Sequence, residues 1–421
     1  MVLFSTLLIN VKENDFNYNE CNTFNYMGNN ENKAHYDLAN RNDEIVGEDV
    51  LLTVLTHGLG GNASHWSSNS NDEFDYEQYS LIDSLAKSLD YKVNIIKFTI
   101  NKMNITNIDD YICTSKFGCE GGDNYHTIMV FETKQTFNSN DYVYSQFDYA
   151  VSKAVYDIKQ TYGKLPKINL IGHSRGGLIN LLYAMDHPYM VNQIFSIGTP
   201  YTGSSTAKID VDYMDCEIGS GNACQDGEKD IIDSDLYNSY MTRWNDDYDK
   251  YYKNIDVTAM GARTTIDYLC KVLLSKDTID YIIDPSDNKI ISTLEYAGIY
   301  VAFTEIVSYL EEINTTSILR HYLGIEYIGN KLTIIGDLIV DIIKKNQGES
   351  NKIGEKIEIV YDILKNEIVY DDIANRLVWN NDFFVNLDSA LGYGYKGFKS
   401  YSKTVTFFNS TDKLAFKNMT H

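Results

Sequence analysis

Positive charge is scarce in this sequence. Lys and Arg together number 36 against 59 Asp and Glu, which gives a formal net charge of −23 at pH 7. Nucleic acids and anionic lipid surfaces are bound through positive charge, so neither is expected as a partner. The acidic side chains are expected to form a solvated face that favours solubility.

Other absences narrow the class of protein further. No apolar run approaches the roughly 18 residues needed to span a bilayer, so no transmembrane segment is predicted. None of the cysteines has a histidine or another cysteine at the spacing typical of zinc ligands, and no metal or cofactor is expected. With 43% hydrophobic and 23% charged residues among 421, the chain can nevertheless bury a large core.

The spacing of the six cysteines indicates in which cellular compartment the protein is expected. Two closely spaced pairs stand out among the six, Cys113 with Cys119 and Cys216 with Cys224. Such pairs in Gly-rich and Asp-rich loops favour disulfides, and hence an extracellular or cell-surface location. Residues 1–10 resemble a short signal h-region but lack a positive n-region and a cleavage site, so a cytoplasmic location is the alternative.

The most informative motif is Gly-His-Ser-Arg-Gly-Gly at 172–177. It lies between an apolar predicted strand at 167–171 and a predicted amphipathic helix at 178–185. A serine on a sharp strand-to-helix turn has a strained backbone and needs small residues two before and two after it, as here. The pattern therefore predicts that Ser174 is a nucleophile, and an ordinary helix-capping turn is the alternative.

A second motif follows an uncharged run of β-formers at 51–56, which breaks into His-Gly-Leu-Gly-Gly at 57–61. With these two motifs the chain resembles the α/β-hydrolase superfamily, and within it the secreted bacterial lipases and esterases. The resemblance implies an oxyanion hole made by the backbone amides of Leu59 and Arg175. Under this resemblance His57 is not the general base, and the alternative for His57 is a loop histidine packed behind the site.

The resemblance extends to two later segments. Residues 195–204 look like the Gly-Thr-Pro-x-x-Gly-Ser strand end that lines the lipase pocket, and residues 381–392 are similar to the segment that bears the triad acid. Matching Asn-Asp to Asn-Asp selects Asp382 as the acid, with Asp388 as the rival. Phe383 replaces the glycine that is usual in the family at this turn.

A serine nucleophile requires a base, and in this superfamily the order along the chain is Ser, acid, His. His421 is the only histidine after Asp382, and it follows a predicted final strand at 401–408. We therefore expect His421 to be the base, although a terminal histidine is otherwise typical of a frayed tail or a tag remnant. A chain ending on its base also indicates a longer natural polypeptide.

Strands and helices alternate along the chain, which predicts right-handed crossovers and a mostly parallel sheet flanked by helices. Further strands are expected at 93–98, 191–197 and 255–260, with helices near 78–89 and 144–162. Between this core and the acid, apolar residues recur at helical spacing and predict a large helical cap. The predicted organisation is an irregular arm at 1–49, hydrolase core at 50–263, cap at 264–375, and core with acid and histidine at 376–421.

These features predict a serine carboxylic ester hydrolase, a lipase or esterase of lipid metabolism that acts on small ester or lipid substrates through an acyl-enzyme. Ser174, His421 and Asp382 would form its triad, and the amides of Leu59 and Arg175 would bind the oxyanion. Two alternatives stay open: an acyltransferase or amide hydrolase with the same triad, and a catalytically inactive binding protein on the hydrolase fold.

Overall fold

A computed structural model of the chain describes residues 17–18, 44–63, 66, 81–89, 93–100, 108–113, 126–213, 224–265, 367–371, 376–382 and 384–405. His421, most of the predicted cap and most of the predicted arm lie outside these residues. The chain divides into two compact units. The first comprises Met1–Gly203, Gln225–Met260 and Ser389–Tyr401, and the second comprises Ser204–Cys224, Gly261–Asp388 and Ser402–His421.

Strands within the described residues are numbered in chain order: β1 (Asn17–Tyr18), β2 (Glu44–Thr56), β3 (Asn94–Ile100), β4 (Ile108–Cys113), β5 (His126–Thr133), β6 (Leu165–His173), β7 (Val191–Ile197), β8 (Asp256–Thr265), β9 (Ile368–Asp371), β10 (Arg376–Trp379) and β11 (Phe398–Val405). The helices are α1 (Leu81–Ser88), α2 (Asn140–Tyr162), α3 (Arg175–Asp186), α4 (Ser205–Tyr213), α5 (Asp226–Asp230), α6 (Ser234–Asp247) and α7 (Leu387–Ala390), with a π-helical turn at Tyr248–Tyr252.

The first unit contains a parallel sheet with the order β3-β5-β2-β6-β7-β8. Short antiparallel partners join it, β4 on β3 and β1 on β2. Thr56 at the end of β2 pairs with Phe131 of β5 on one side and Gly172 of β6 on the other. Because parallel strands end at one edge of the sheet, the segments after β2, β5 and β6 leave the sheet side by side.

Both faces of this sheet are covered, as expected of a parallel sheet. On one face, alternate strand residues pack against α2 and α3, among them Leu52, Val54, Met129 and Phe131. On the other face, the intervening residues pack against α1, among them Leu55, Ile128 and Val130. Helix α3 is buried along nearly its whole length, the polar Asn180 included, so it is a core helix and the prediction of an amphipathic helix at 178–185 was wrong on this point.

Helix α2 has clear start and stop signals. The Ser139 side chain accepts a hydrogen bond from the Tyr142 amide at the N-terminus, and Gly163 ends the helix at φ 69°. The second unit contains an antiparallel pair, β9 with β10, in which Val378 lies opposite Val369. Within the described residues, no helix combines the length and apolar character needed to cross a membrane.

The structure confirms the mostly parallel sheet and the predicted core strands and helices to within a few residues. It also adds β5, which the sequence patterns did not predict, between β2 and β3. The signal for this strand was the uncharged run at 127–131. Helices α4 to α7 and strands β4, β9 and β10 were likewise not predicted, and β9 lies within the range predicted as a helical cap. The prediction of a helical cap at 264–375 falls almost entirely outside the described residues and stays a prediction.

Candidate active site

Ser174 lies at the turn between β6 and α3 with φ 53° and ψ −131°. Among the described residues it is the one non-glycine residue with a positive φ. An L-residue held in such a conformation costs about 1–3 kcal/mol, which the surrounding structure has to offset. Ser174 occupies the N-cap position of α3, yet its side chain makes no capping hydrogen bond to the helix. The geometry is therefore that of a strained strand-to-helix elbow and not that of a capping turn.

The glycines around Ser174 are required by close packing. A Cβ on Gly172 would lie 2.5 Å from the Gly177 nitrogen, and a Cβ on Gly176 would overlap the Thr56 carbonyl oxygen. A Cβ on Gly58, after β2, would lie 2.6 Å from the Ser174 Cβ and 3.2 Å from its Oγ. The loop at 57–63 therefore passes directly against the Ser174 side chain, and only glycine fits at the point of contact.

His57 is buried behind this loop. Its ring stacks on Phe131 with the centroids 6.5 Å apart. The Thr133 amide donates to Nε2 at 3.3 Å, so Nδ1 carries the proton and donates to the Gly58 carbonyl at 2.8 Å. These contacts favour the alternative in which His57 is a packed loop histidine. Its contacts are those of a group that orients the loop.

The Gly58 carbonyl oxygen accepts three hydrogen bonds. The donors are the His57 ring at 2.8 Å, the Gly61 amide at 3.2 Å and the Thr136 hydroxyl at 3.2 Å. In a trans peptide the carbonyl and the next N–H point in opposite directions. Holding the Gly58 oxygen therefore also sets the direction of the Leu59 N–H.

Arg175, the residue after Ser174, has a fully buried side chain. Its guanidinium donates to the Asn138 carbonyl at 2.7 Å and to the Thr136 carbonyl. Burial lowers the pKa of Arg175 to about 10, while the charge of Asp230 acts in the opposite direction. The side chain therefore stays cationic at neutral pH. It ties the start of α3 to the loop at 134–139.

Glu132, at the end of β5, supports the far end of the 57–63 loop. Its side chain is 2% exposed, accepts the Ala63 amide at 3.3 Å, and pairs with Lys97 at 2.9 Å and with Lys134. Burial opposes ionisation, but the hydrogen bonds and charges of Lys134 and Lys97 outweigh it, so the pKa of Glu132 lies below its usual value.

Asp382 belongs to the second unit and is 3% exposed. Its Oδ1 accepts the amides of Phe384 at 3.1 Å and Val385 at 2.8 Å, which forms a tight turn without the glycine that is usual in the family. Asp388, the rival acid, lies exposed at the start of α7. Of the two carboxylates, Asp382 is therefore the one that is buried and held in a defined orientation.

Asn381, just before Asp382, is anchored within the same unit. Its amide nitrogen donates to Glu367 Oε2 at 3.1 Å, and the Trp379 indole donates to the same oxygen at 2.8 Å. Burial raises the pKa of Glu367, and hydrogen bonds from Ser205, Asn381 and Trp379 act against that shift. Glu367 is thus a buried acceptor that fixes the segment leading into Asp382.

A family described as an alpha/beta hydrolase of unknown function (DUF915) matches residues 81–240. The matched part contains the β6–α3 elbow with Ser174, and the parallel sheet with helices on both faces is the arrangement that this family name denotes. The fold is therefore that of an α/β-hydrolase. The family match begins after the 57–63 loop and ends before Asp382.

Among solved structures, this chain is similar to the mature lipase BlEst2 of Bacillus licheniformis, with 14% identity, a TM-score of 0.31, and coverage of 55% of this chain and 76% of that one. It is similar to the phospholipase PlaB of Legionella pneumophila, with 12% identity, a TM-score of 0.35, and coverage of 54% and 43%. This chain thus spans less than half the length of PlaB. No curated protein sequence matches significantly.

The predicted site residues of the chain fall into three groups. Ser174 and Arg175 share the elbow, and the loop bearing Leu59 packs against the elbow in the same unit. Asp382 lies in the second unit, and His421 lies outside the described residues. No group of three or more His, Cys, Asp or Glu side chains in the described part of the chain is placed to hold a metal ion. The sequence patterns did not point to Glu132 or to the 134–139 loop.

Proposed function

We propose that the chain is a serine carboxylic ester hydrolase that acts through an acyl-enzyme. The Ser174 hydroxyl attacks the ester carbonyl and gives its proton to His421, which passes it to the departing alcohol. Water then hydrolyses the acyl-serine and releases the acid. Asp382 orients the histidine, and the amides of Leu59 and Arg175 bind the oxyanion in both steps.

The observation that carries this proposal is the strained backbone of Ser174 with the Gly58 loop against its side chain. A strained serine at the N-terminus of a buried helix places its own hydroxyl beside the amide of the next residue. The helix dipole also favours negative charge at that end. Acyl transfer is the chemistry that uses a serine hydroxyl and nearby backbone donors together.

The direct test compares two serine substitutions. Ser174→Ala should lower kcat on p-nitrophenyl butyrate by about 10⁴-fold or more, because a triad nucleophile is removed. Ser239→Ala is the matched control, since the Ser239 hydroxyl is exposed and donates to the Leu236 carbonyl within α6. A fluorophosphonate probe should label the wild type and the control, but not Ser174→Ala.

Each alternative has its own signature in these assays. Faster product formation with an added alcohol or amine than with water alone would identify a transferase, and turnover of anilides but not esters would identify an amide hydrolase. Absence of both turnover and labelling in the wild type would leave a binding protein on the hydrolase fold. Activity of Ser174→Ala above a tenth of wild type would overturn the nucleophile assignment.

We also propose an extracellular or cell-surface location. Cys224 is disulfide-bonded, which is typical of proteins that fold in oxidising compartments. Cys216, its expected partner from the sequence, lies outside the described residues. Reaction of the non-reduced and reduced protein with a thiol-alkylating reagent, followed by peptide mass analysis, would test the bridge. A free Cys224 thiol in the native protein would contradict it.

A further inference from the structure

We propose that Thr136 is a positioning residue that holds the two oxyanion-binding amides in place relative to each other. This inference rests on the proposed function of Leu59 and Arg175. Thr136 lies in the 134–139 loop after β5. Its hydroxyl donates to the Gly58 carbonyl at 3.2 Å, and its own carbonyl accepts the Arg175 guanidinium. One residue thus connects both amide-bearing segments.

The link to the first amide runs through a single peptide group. The Thr136 hydroxyl is one of the three donors on the Gly58 oxygen, and the Leu59 N–H lies at the opposite end of that peptide. The other two donors, His57 and Gly61, belong to the 57–63 loop itself. Thr136 is therefore the donor to Gly58 that comes from outside the loop and ties it to the rest of the unit.

The link to the second amide runs through the Arg175 side chain. Arg175 is 1% exposed, and its guanidinium donates to the carbonyls of Thr136 and Asn138. Gly227 in α5 leaves no spare room, since a Cβ there would lie 2.6 Å from Arg175 Nη1. A guanidinium held in this way fixes the first residue of α3 against the 134–139 loop, and with it the N–H that follows Ser174.

This arrangement has a mechanistic consequence. Oxyanion stabilisation requires donors placed for the transition state, and a misplacement near 1 Å can cost about 10²-fold in rate. The Thr136 hydroxyl acts on the backbone carbonyl of Gly58, and we expect this hydrogen bond to contribute little to ground-state binding of the acyl chain. Loss of the Thr136 hydroxyl is therefore expected to lower kcat and to leave KM nearly unchanged.

The experiment separates the Thr136 hydroxyl from its methyl group. Thr136→Val keeps the shape and removes the donor, and Thr136→Ser keeps the donor and removes the methyl. We expect Thr136→Val to lower kcat on p-nitrophenyl butyrate about tenfold and Thr136→Ser to restore most of it. Thr161→Val is the matched control, because the exposed Thr161 hydroxyl also bonds a backbone carbonyl, that of Asp157 at the end of α2.

A second readout uses a trifluoromethyl ketone inhibitor. The serine oxygen attacks its carbonyl carbon, and the resulting oxyanion lies in the oxyanion hole. Its inhibition constant should rise in Thr136→Val by the same factor as kcat/KM falls, while inhibition by the product acid stays constant. If Thr136→Val fails to fold, the pair Thr136→Ala and Thr136→Ser repeats the comparison in a smaller side chain.

Three results would overturn the inference about Thr136: equal rates for the valine and serine variants, a loss confined to KM, or an equal loss in Thr161→Val. Each is distinguishable from a failure of the proposed function. In the first case Ser174→Ala still abolishes activity and only the role of Thr136 falls. If Ser174→Ala keeps its activity, the nucleophile itself is misassigned.

Discussion

Gly58→Ala tests the packing of the 57–63 loop against Ser174. The new methyl group would lie 2.6 Å from the Ser174 Cβ, 3.2 Å from its Oγ and 3.2 Å from the His173 carbonyl oxygen. A Cβ contact below 3.0 Å is essentially never seen, so the loop and the elbow have to separate by at least about 0.4 Å. Neither side yields easily, since Ser174 is backbone-strained and the Gly58 carbonyl is held by three donors.

The size of the effect follows from that displacement. A misplacement of 1 Å costs about 10²-fold in rate, so a shift of several tenths of an ångström is expected to cost about tenfold in kcat. This corresponds to about 1.4 kcal/mol of transition-state stabilisation. Overpacking by one methyl group should also lower the free energy of unfolding by about 1–3 kcal/mol.

The assay is kcat and KM on p-nitrophenyl butyrate, with the rate of fluorophosphonate labelling and a thermal melt on the same samples. Gly163→Ala serves as control, because Gly163 ends α2 at φ 69° and a Cβ added to it would have no atom within 4 Å. It should lose stability through backbone strain and keep its kcat. A Gly58→Ala variant with kcat within twofold of wild type would refute the close-packing argument.

Two further predictions concern carboxylates. Asp382→Asn should lower kcat at least about 10³-fold, and Asp388→Asn should change kcat less than about threefold. The reason is that Asp382 is buried and held by two amides, while Asp388 is exposed. A larger loss at Asp388 would reassign the acid. The pKa of Glu132 is lower in the folded state than in the unfolded state, so the ionised carboxylate stabilises the folded protein. This contribution to the free energy of unfolding is complete above the unfolded-state pKa of about 4.3, and it is lost as the pH falls through the lower folded-state pKa. Urea unfolding should therefore show Glu132→Gln about 2 kcal/mol less stable than wild type at pH 7, with the gap closing towards pH 3, and a gap independent of pH would contradict the ion-pair assignment.

The elbow could be predicted from sequence because its constraints are local. Gly172 and Gly176 stand two residues either side of Ser174, and the strand before and the helix after lie next to them in the chain. The same holds for the uncharged run at 51–56 that becomes the end of β2. Hydrophobic pattern and small residues determine such features within about ten positions, and the structure reproduces them closely.

The strand β5 is an element that local sequence patterns could not predict. Its apolar run at 127–131 is short, and a run of that length does not distinguish a buried strand from part of a buried helix. Its position between β2 and β3 depends on pairing with segments more than 25 residues away in the chain. As a result, the loop that follows it, with Thr136, carried no functional signal in the sequence.

By itself, then, the sequence determined the hydrolase fold class, the parallel sheet and the strained turn at Ser174, because each depends on neighbours in the chain. Only the tertiary structure decided that the Gly58 peptide and the Arg175 side chain meet at Thr136, and that Glu132 anchors Ala63. Hydrogen bonds between loops at the ends of different strands follow from how the sheet is assembled. Sequence periodicity carries no information about such contacts.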